Sequence, residues 1–213
     1  MLDGMPNVAA VVGLGGGMAI DTAKYIAWRR RLKLFQVPTA LSVDAMFGHR
    51  AGVRVDGVVQ YVGWAVPEAI YFDIDILRAG PRQLNYSGFG DIPCNHTGVL
   101  DWRYADRTGR GEPRWPYDES LAQRSLEKVE AVLAHARDIR DLTDRGIAVL
   151  IDGLRWGGGS YHAAGWMPRH IEGAEHFFFY TLEFLTGRKS IHGQPVGLGI
   201  YIGSLLHDSR ARR

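Results

Sequence analysis

The sequence lacks several features that would place it in a special class of protein. Its 213 residues include one cysteine, Cys94, which excludes an internal disulfide framework and fits a reducing compartment. No stretch approaches the roughly 20 continuous apolar residues of a membrane-spanning helix, and residues 1–4 are not a charged leader followed by an apolar run. We therefore expect a cytoplasmic protein without a membrane span.

A strong excess of one charge is also missing. There are 25 basic and 23 acidic residues, so the net charge of +2 predicts no nucleic-acid partner. Two local basic runs, Arg29–Arg31 and Arg210–Arg213, are interpreted as a solvated helix face and a frayed end. A hydrophobic content of 46% is ordinary for a globular chain that folds as one large domain or two small ones.

The first 80 residues alternate between strand and helix patterns. The apolar run at 7–13 is typical of a strand buried on both faces, and a glycine-rich turn and a helix to about Arg31 follow it. Further strands are predicted at 32–39 and 68–74. Residues 53–62 predict a β-hairpin, because Asp56-Gly57 accepts the positive φ angles of a type I′ turn.

After about residue 80 the pattern becomes helical. Asp118 is predicted to open one long amphipathic helix that Gly146 closes. Residues 146–154 and 173–185 also read as helices, and the second is apolar almost all round, which predicts that it is buried. The fold class expected is an α/β part followed by an all-helical part, and pockets often form between two such parts.

Two motifs in the α/β part are suited to binding a nucleotide cofactor and a substrate. In "GLGGGMAIDTAK" the glycines let backbone amides approach a pyrophosphate at a helix N-terminus, although a tight turn without a ligand is the alternative. In "PTALSVDA", Thr39, Ser42 and Asp44 follow a strand end, where ligands bind in open α/β sheets. A helix-capping turn explains this second motif equally well.

One carboxylate and two histidines form the third constellation. Asp91 is predicted at the start of a helix, as a cap or as a metal ligand. His176 lies beside three phenylalanines, and His192 opens "HGQPVGLG"; His176 is either a satisfied core histidine or a ligand. Together the three make a metal site with open positions for a substrate oxygen. The other histidines are interpreted as surface or structural: His49, His96, His135, His162, His170 and His207.

Five blocks in one order resemble a known family. They are "GLGGGMAIDTAK", "PTALSVDA", "GFGDIPCNHTGVLDW", "EGAEH" and "IHGQPVGLG", within residues 8–206. The chain thereby resembles the metal-dependent polyol dehydrogenases, which include glycerol dehydrogenase, the iron-containing alcohol dehydrogenases and dehydroquinate synthase. Asp101-Trp102 favours the glycerol-phosphate branch, and "FGHRAGVRVDG" replaces the lysine-containing loop expected of the synthase.

The resemblance implies a role for each matching residue. The metal ligands fall on Asp91, His176 and His192, with zinc expected and nickel or iron(II) suited to the same donors. Asp44 faces the substrate and is the predicted catalytic residue. The predicted contacts to NAD or NADP are Gly15, Gly16, Gly17, Asp21, Thr39 and Ser42.

The resemblance also implies a domain organisation. A partial Rossmann-like dinucleotide-binding domain is expected at 1–80 and a helical metal-binding domain at 81–213. Relatives continue beyond both ends, so we expect the middle of a longer protein, with unpaired sheet edges that favour a homo-oligomer. The segment "GWMPRHIEGAEH" departs from the Arg-Pro stretch of the family, which leaves open whether Arg169 binds a substrate phosphate.

The activity implied is interconversion of dihydroxyacetone phosphate, or a similar polyol ketone, and sn-glycerol 1-phosphate with NAD or NADP. The partner is therefore a small phosphorylated polyol or ketone. One alternative is a non-catalytic remnant that folds and binds a partner. Another is a sugar-phosphate cyclase or lyase of the dehydroquinate synthase type.

Overall fold

The computed structural model describes residues 4–211, with side chains described through residue 208. The N-terminal Met1–Asp3 and the side chains of the basic run Arg210–Arg213 lie outside that description. The strands are β1 (Ala10–Gly15), β2 (Lys33–Pro38), β3 (Ala51–Val55), β4 (Val58–Val62) and β5 (Ala69–Ile70). The helices are α1 (Gly17–Arg30), α2 (Ile74–Ala79), α3 (Arg82–Asp91), α4 (Cys94–Arg107), α5 (Glu119–Ala134), α6 (Ala136–Asp141), α7 (Asp144–Ala163), α8 (Ala174–Thr186) and α9 (Gly193–Ala211).

The described strands precede residue 71 and the later elements are helical, so the α/β and helical content is as expected. Three parallel strands pair in the order β1-β2-β5. The last is shorter than the predicted strand at 68–74, because the Asp73 carboxylate accepts hydrogen bonds from the N–H groups of Asp75 and Ile76, both at 3.0 Å, and starts α2.

The first strand does not lie where the sequence pattern placed it. It begins at Ala10 rather than at residue 7, and it is not buried on both faces, since Val12 is 60% and Leu14 is 62% exposed. Helix α1 covers one face so closely that a Cβ on Gly13 would lie 2.8 Å from the Cβ of Ala23. Within residues 4–208 nothing covers the other face of Val12 and Leu14, which is why the predicted burial is wrong.

The hairpin prediction is confirmed. Strands β3 and β4 pair antiparallel around Asp56 and Gly57, whose φ angles of 51° and 82° are those of a type I′ turn. The hairpin also contacts α8, because Arg54 forms an ion pair with Glu183 at 3.0 Å. This contact joins the α/β part to the helical part.

The single long helix predicted from Asp118 to Gly146 is wrong, because the chain forms three helices there. Asp118 does cap α5, accepting from the N–H of Leu121 at 2.9 Å. Leu142 then adopts a left-handed conformation (φ 50°), and Thr143 caps α7 by accepting from the N–H of Gly146 at 3.1 Å. Gly146 thus lies in the first turn of α7, where a Cβ would come within 2.3 Å of the Asp138 backbone.

Helix α8 is apolar on most sides but is not buried. Phe177, Phe184 and Leu185 are 70%, 61% and 75% exposed. Only the face that carries His176 and Phe179 packs inward, against α4 and α9. Apolar composition therefore predicted the wrong environment, because α4, α9 and the β3–β4 hairpin cover one side of α8 and leave Phe177, Phe184 and Leu185 exposed.

The largest buried cluster lies where the α/β part meets the helical part. It combines Ile20 of α1, Leu77 of α2 and Leu150 of α7, all with no exposed surface. Among the described helices, none has the length and apolar content needed to cross a membrane.

Candidate active site

Asp91 is the last residue of α3, and not the start of a helix as predicted. The chain turns at Ile92-Pro93, and α4 begins at Cys94 with no side-chain cap. A carboxylate at a helix C-terminus has no free N–H groups to cap, so the capping alternative is excluded. Asp91 is 6% exposed, and its Oδ1 atom is buried without a hydrogen bond from the described residues.

The two predicted histidines face this carboxylate. His192 Nε2 lies 3.1 Å and His176 Nε2 lies 3.8 Å from Asp91 Oδ1. The ligand atoms of all three residues are within 4.8 Å of one another. Two imidazole nitrogens and one carboxylate oxygen, converging on a buried atom that lacks a donor, fit a divalent cation such as zinc, nickel or iron(II).

Glu175 was missed in the sequence and supports this site. Its Oε1 atom lies 2.9 Å from His176 Nδ1, and its carboxylate also accepts from the N–H of Gly173 at 2.6 Å and from the Thr97 hydroxyl. Because Nδ1 of His176 donates to Glu175, its Nε2 atom is left to face Asp91. Outer-shell carboxylates orient metal-binding histidines in this way. The signal was the acidic residue directly before the histidine in "EGAEH".

Cys94 contacts the same region without joining the ligand set. Its thiol and the side chains of Glu175 and His176 also lie within 4.8 Å of one another. However, the thiol is buried and donates to the carbonyl of Ile171 at 2.8 Å. Burial raises the pKa of this thiol, as is usual for a structural cysteine rather than a reactive one.

The ligands carry opposite pKa shifts. Burial acts to raise the pKa of Asp91, but the charges of His192 and His176 lower it. Burial acts to lower the pKa of His176, but its hydrogen bond with Glu175 and the nearby carboxylates raise it to about 10. An ionised carboxylate thus faces a proton-binding imidazole, and a cation would take the place of that proton.

Close backbone contacts bring the ligands together. A Cβ on Gly193 would lie 1.9 Å from the carbonyl oxygen of Ser87, so only glycine lets α9 approach α3. The N–H of Gly193 donates to the Ser87 hydroxyl at 2.9 Å. This contact positions His192, one residue earlier, beside Asp91, four residues after Ser87.

The glycine turn faces the same cavity. Gly16 and Gly17 line it, whereas Gly15 lies just behind, with a φ of 143° and a Cβ position 2.8 Å from the Cβ of Ala19. Helix α1 has no side-chain cap and no acidic residue in its first turn. Its N-terminus therefore presents partial positive charge to the cavity, which suits an anionic ligand.

Ser42 and Asp44 line the cavity, and Thr39 does not. The N–H of Thr39 instead donates to the carbonyl of Gly15 at 3.0 Å. Burial, and then the charge of Asp91, raise the pKa of Asp44 to about 7. A carboxyl group with such a pKa exchanges a proton readily near neutrality.

Lys24 was also missed, although it ends the first motif. It is 1% exposed, and its Nζ donates to the carbonyls of Ala45, Gly48 and Arg50 at 2.8, 3.1 and 2.6 Å. The carboxylate of Asp21 pairs with the same Nζ at 2.7 Å. Asp21 also lines the cavity, but its carboxylate is engaged by Lys24, and its cofactor role stays a prediction.

The cavity has a volume of about 1110 Å³ and two walls. The α/β wall consists of Gly16, Gly17, Ser42 and Asp44, and the helical wall of Asp91, Glu172, His176 and His192. Tryptophans 115 and 166 line it as well. Arg169 does not line it and pairs with Glu112, whereas the lining arginines are Arg50, Arg54 and Arg114.

The remaining histidines make structural contacts where the structure describes a partner. His49 and His162 stack at a ring distance of 3.9 Å. His170 is fully buried and lies 2.8 Å from the Ser160 hydroxyl. His207 lies 2.8 Å from Asp101, whose other oxygen accepts from the N–H at the start of α8.

Comparison with known proteins supports the family resemblance. The family described as iron-containing alcohol dehydrogenase matches residues 2–81. A protein of Aeropyrum pernix named glycerol-1-phosphate dehydrogenase [NAD(P)+] is 35% identical over 208 residues, 97% of this chain and 57% of the relative. A Pyrococcus abyssi protein of the same name is 30% identical, over 97% of this chain and 58% of the relative. The resemblance predicted from the five blocks is confirmed.

Solved structures show the same fold. Glycerol dehydrogenase from Schizosaccharomyces pombe superposes with a TM-score of 0.73 at 20% identity, covering 97% of this chain and 54% of that one. An iron-containing alcohol dehydrogenase from Thermotoga maritima gives 0.56 at 18% identity, covering 90% and 53%. The chain thus spans somewhat more than half the length of the proteins it matches.

Proposed function

We propose that the chain carries the active site of an NAD(P)-dependent, metal-dependent dehydrogenase that interconverts dihydroxyacetone phosphate and sn-glycerol 1-phosphate. The observation that carries this proposal is the convergence of Asp91, His176 and His192 across one cavity from the glycine turn. The names of the curated relatives support the substrate and the cofactor. The proposal includes a dinucleotide-binding domain at 1–80 and a metal-binding domain at 81–213.

Asp91, His176 and His192 would hold the divalent cation, for which we propose zinc. When bound, such a cation supplies Lewis-acid stabilisation of negative charge on a substrate oxygen. Glu175 keeps Nε2 of His176 directed at the site through the 2.9 Å contact with Nδ1. Asp91 and His176 are themselves 6% and 7% exposed, which limits the access of water to the same place.

Gly16 and Gly17, with Gly15 behind them, would bind the cofactor pyrophosphate, and Ser42 its nicotinamide half. Thr39 does not line the cavity, and its contact with the cofactor stays a prediction. The cofactor supplies the hydride. Asp44 lies on the α/β wall with the raised pKa described above, so it would orient a substrate hydroxyl and exchange a proton with it.

A non-catalytic remnant is the second candidate, and the exposure of Val12 and Leu14 favours it. An exposed apolar face on β1 suits contact with a binding partner, which is the role that a non-catalytic remnant would have. Self-association and a cytoplasmic location also remain proposals. The cyclase or lyase alternative has no observation of its own in its favour.

The experiment that tests the proposed function follows NADH and NADPH oxidation by absorbance with dihydroxyacetone phosphate, using zinc-loaded and chelator-treated protein. Zinc-dependent oxidation with formation of sn-glycerol 1-phosphate is expected. Bound zinc without turnover would favour the remnant. Product formation without net change in the cofactor would favour the cyclase or lyase.

A further inference from the structure

We propose that Glu172 is an outer-sphere carboxylate of the metal site, which strengthens cation binding through its charge without ligating the cation. The proposal rests on the proposed function, because it requires a cation held by Asp91, His176 and His192. It concerns a residue in the segment where this chain departs from the family pattern, "GWMPRHIEGAEH".

The position of the carboxylate supports an outer-sphere role. Glu172 Oε2 lies 4.0 Å from His176 Nε2, the same nitrogen that lies 3.8 Å from Asp91. Glu172 nevertheless does not belong to the set of residues whose ligand atoms all lie within 4.8 Å of one another. It is therefore near enough to attract the cation, but it is not placed as a fourth ligand.

The backbone holds Glu172 in this position. Its N–H donates to the carbonyl of Pro168 at 3.1 Å. A Cβ on Gly98 of α4 would lie 3.0 Å from the Glu172 backbone, so glycine permits the close approach of this turn to the helix. The hydrogen bond shapes the turn and the close approach places it against α4, so that the Glu172 side chain lines the cavity.

The carboxylate of Glu172 lacks the donors that other acidic side chains nearby possess. Within the described part of the chain it accepts no hydrogen bond, and its one ionic neighbour is His176. By contrast, Glu175 accepts from the N–H of Gly173, and Glu183 pairs with Arg54. The Glu172 side chain is 40% exposed, so water solvates its carboxylate, and a bound cation would supply the opposite charge that the described residues do not.

The charge of Glu172 reaches across the cavity. It contributes to the raised pKa of Tyr161, which also lines the cavity. The same charge would attract a divalent cation at the ligands, since the Glu172 carboxylate lies 4.0 Å from His176 Nε2.

The test compares metal affinity in wild-type protein and Glu172→Gln. Dissociation constants for Co²⁺ and Zn²⁺ are measured by competition with a chromophoric chelator, and the visible absorption of the Co²⁺ form is recorded. We expect cation binding to weaken about 3- to 10-fold, because the variant removes one negative charge close to the cation from a cavity that water enters. The Co²⁺ bands should keep their position and intensity, because the ligands are unchanged.

Two further variants sharpen the test. Glu112→Gln removes a carboxylate that pairs with Arg169 away from the cavity, and it should bind both metals as the wild type does. Glu172→Asp keeps the charge and should recover part of the lost affinity. Thermal unfolding of each variant checks that the fold is intact.

Three results would overturn the proposal. The first is equal metal affinity in Glu172→Gln and wild type, and the second is an equal loss in Glu112→Gln. The third is a change in the Co²⁺ bands of Glu172→Gln, which would make Glu172 a direct ligand. Failure of the wild type to bind either metal is a separate outcome, since it would contradict the proposed function itself.

Discussion

The two walls of the cavity are held in place by different kinds of contact. On the α/β wall, the loop after Asp44 is fixed by one buried ammonium group, Lys24, which donates to three of its carbonyls. On the helical wall, Asp91 and His192 are fixed by backbone contact at Gly193, where no side chain intervenes. A loop is thus positioned by a polar group, and two of the three proposed metal ligands, Asp91 and His192, by helix packing.

This difference predicts how far each wall of the cavity can move. Hydrogen bonds from a long side chain accept small shifts of the loop, which would suit a wall that admits and releases the proposed dinucleotide. Helix backbones in contact accept almost none, because interiors are close-packed. The ligand atoms of a metal site need that rigidity, since their distances to the cation vary little.

The largest expected effect is on metal binding, when one carboxylate is neutralised on either wall of the cavity. Asp91→Asn leaves the two imidazoles without an anionic ligand, so we expect loss of bound zinc and of turnover. Asp44→Asn makes the same change on the α/β wall and should retain zinc. Metal content after dialysis checks both, and zinc retained by Asp91→Asn would show that the helical wall is not the metal site.

Lys24→Met tests the polar contact on the α/β wall. It leaves the Asp21 carboxylate and three carbonyls without their buried partner, so we expect the free energy of unfolding to fall by about 3–5 kcal/mol. The control is Lys128→Met, whose partner Asp152 is 53% exposed and whose loss should cost less than about 1 kcal/mol. Urea denaturation measures both, and similar losses in the two variants would contradict the assigned role of Lys24.

Gly193→Ala tests the packing of the helical wall. The new Cβ must push α9 away from Ser87, so we expect a loss of about 1–3 kcal/mol together with weaker zinc binding. Gly197→Ala lies one turn later in the same helix, where a Cβ would be 3.9 Å from its nearest neighbour. It should be neutral or stabilising by up to about 1 kcal/mol. If both variants bind zinc equally well, close contact at Gly193 does not position His192.

The smallest effect is a pH dependence of the helical part. Burial, and then the charge of Arg124, lower the pKa of His170 from 6.5 to about 4, so this residue is neutral in the folded protein. The unfolded chain binds the extra proton below about pH 6.5, and the stability that neutral His170 contributes is lost as pH falls from there toward 4. The urea midpoint should therefore fall between pH 7 and pH 5 by less in His170→Gln than in wild type. An equal fall in both would assign the effect to other groups.

Local signals in the sequence predicted the structural features that depend only on residues close together in the chain. The hairpin follows from Asp56-Gly57, and the start of α5 follows from Asp118. The convergence of Asp91, His176 and His192 was predicted through five motifs in order, since their separations of up to 101 positions carry no geometric information.

Features that depend on distant partners could not be predicted. Lys24 gains its role from carbonyls 21 to 26 positions away. Leu142 adopts a left-handed conformation although it is not a glycine, so the sequence contains no signal for it. The exposure of Val12 and Phe177 depends on which elements lie nearby. Apolar composition indicates that burial of these side chains would be favourable, but not whether another element covers them.

The tryptophans that line the cavity should make the intrinsic fluorescence of the protein sensitive to a bound molecule. Trp115 and Trp166 lie where the proposed substrate and cofactor would bind, and the Trp166 ring is 4.5 Å from that of Trp64. Their emission responds to the polarity of their surroundings, so a molecule entering the cavity should alter the intrinsic fluorescence. The occupancy of the site can thus be followed by light alone, without a label and before any reaction takes place.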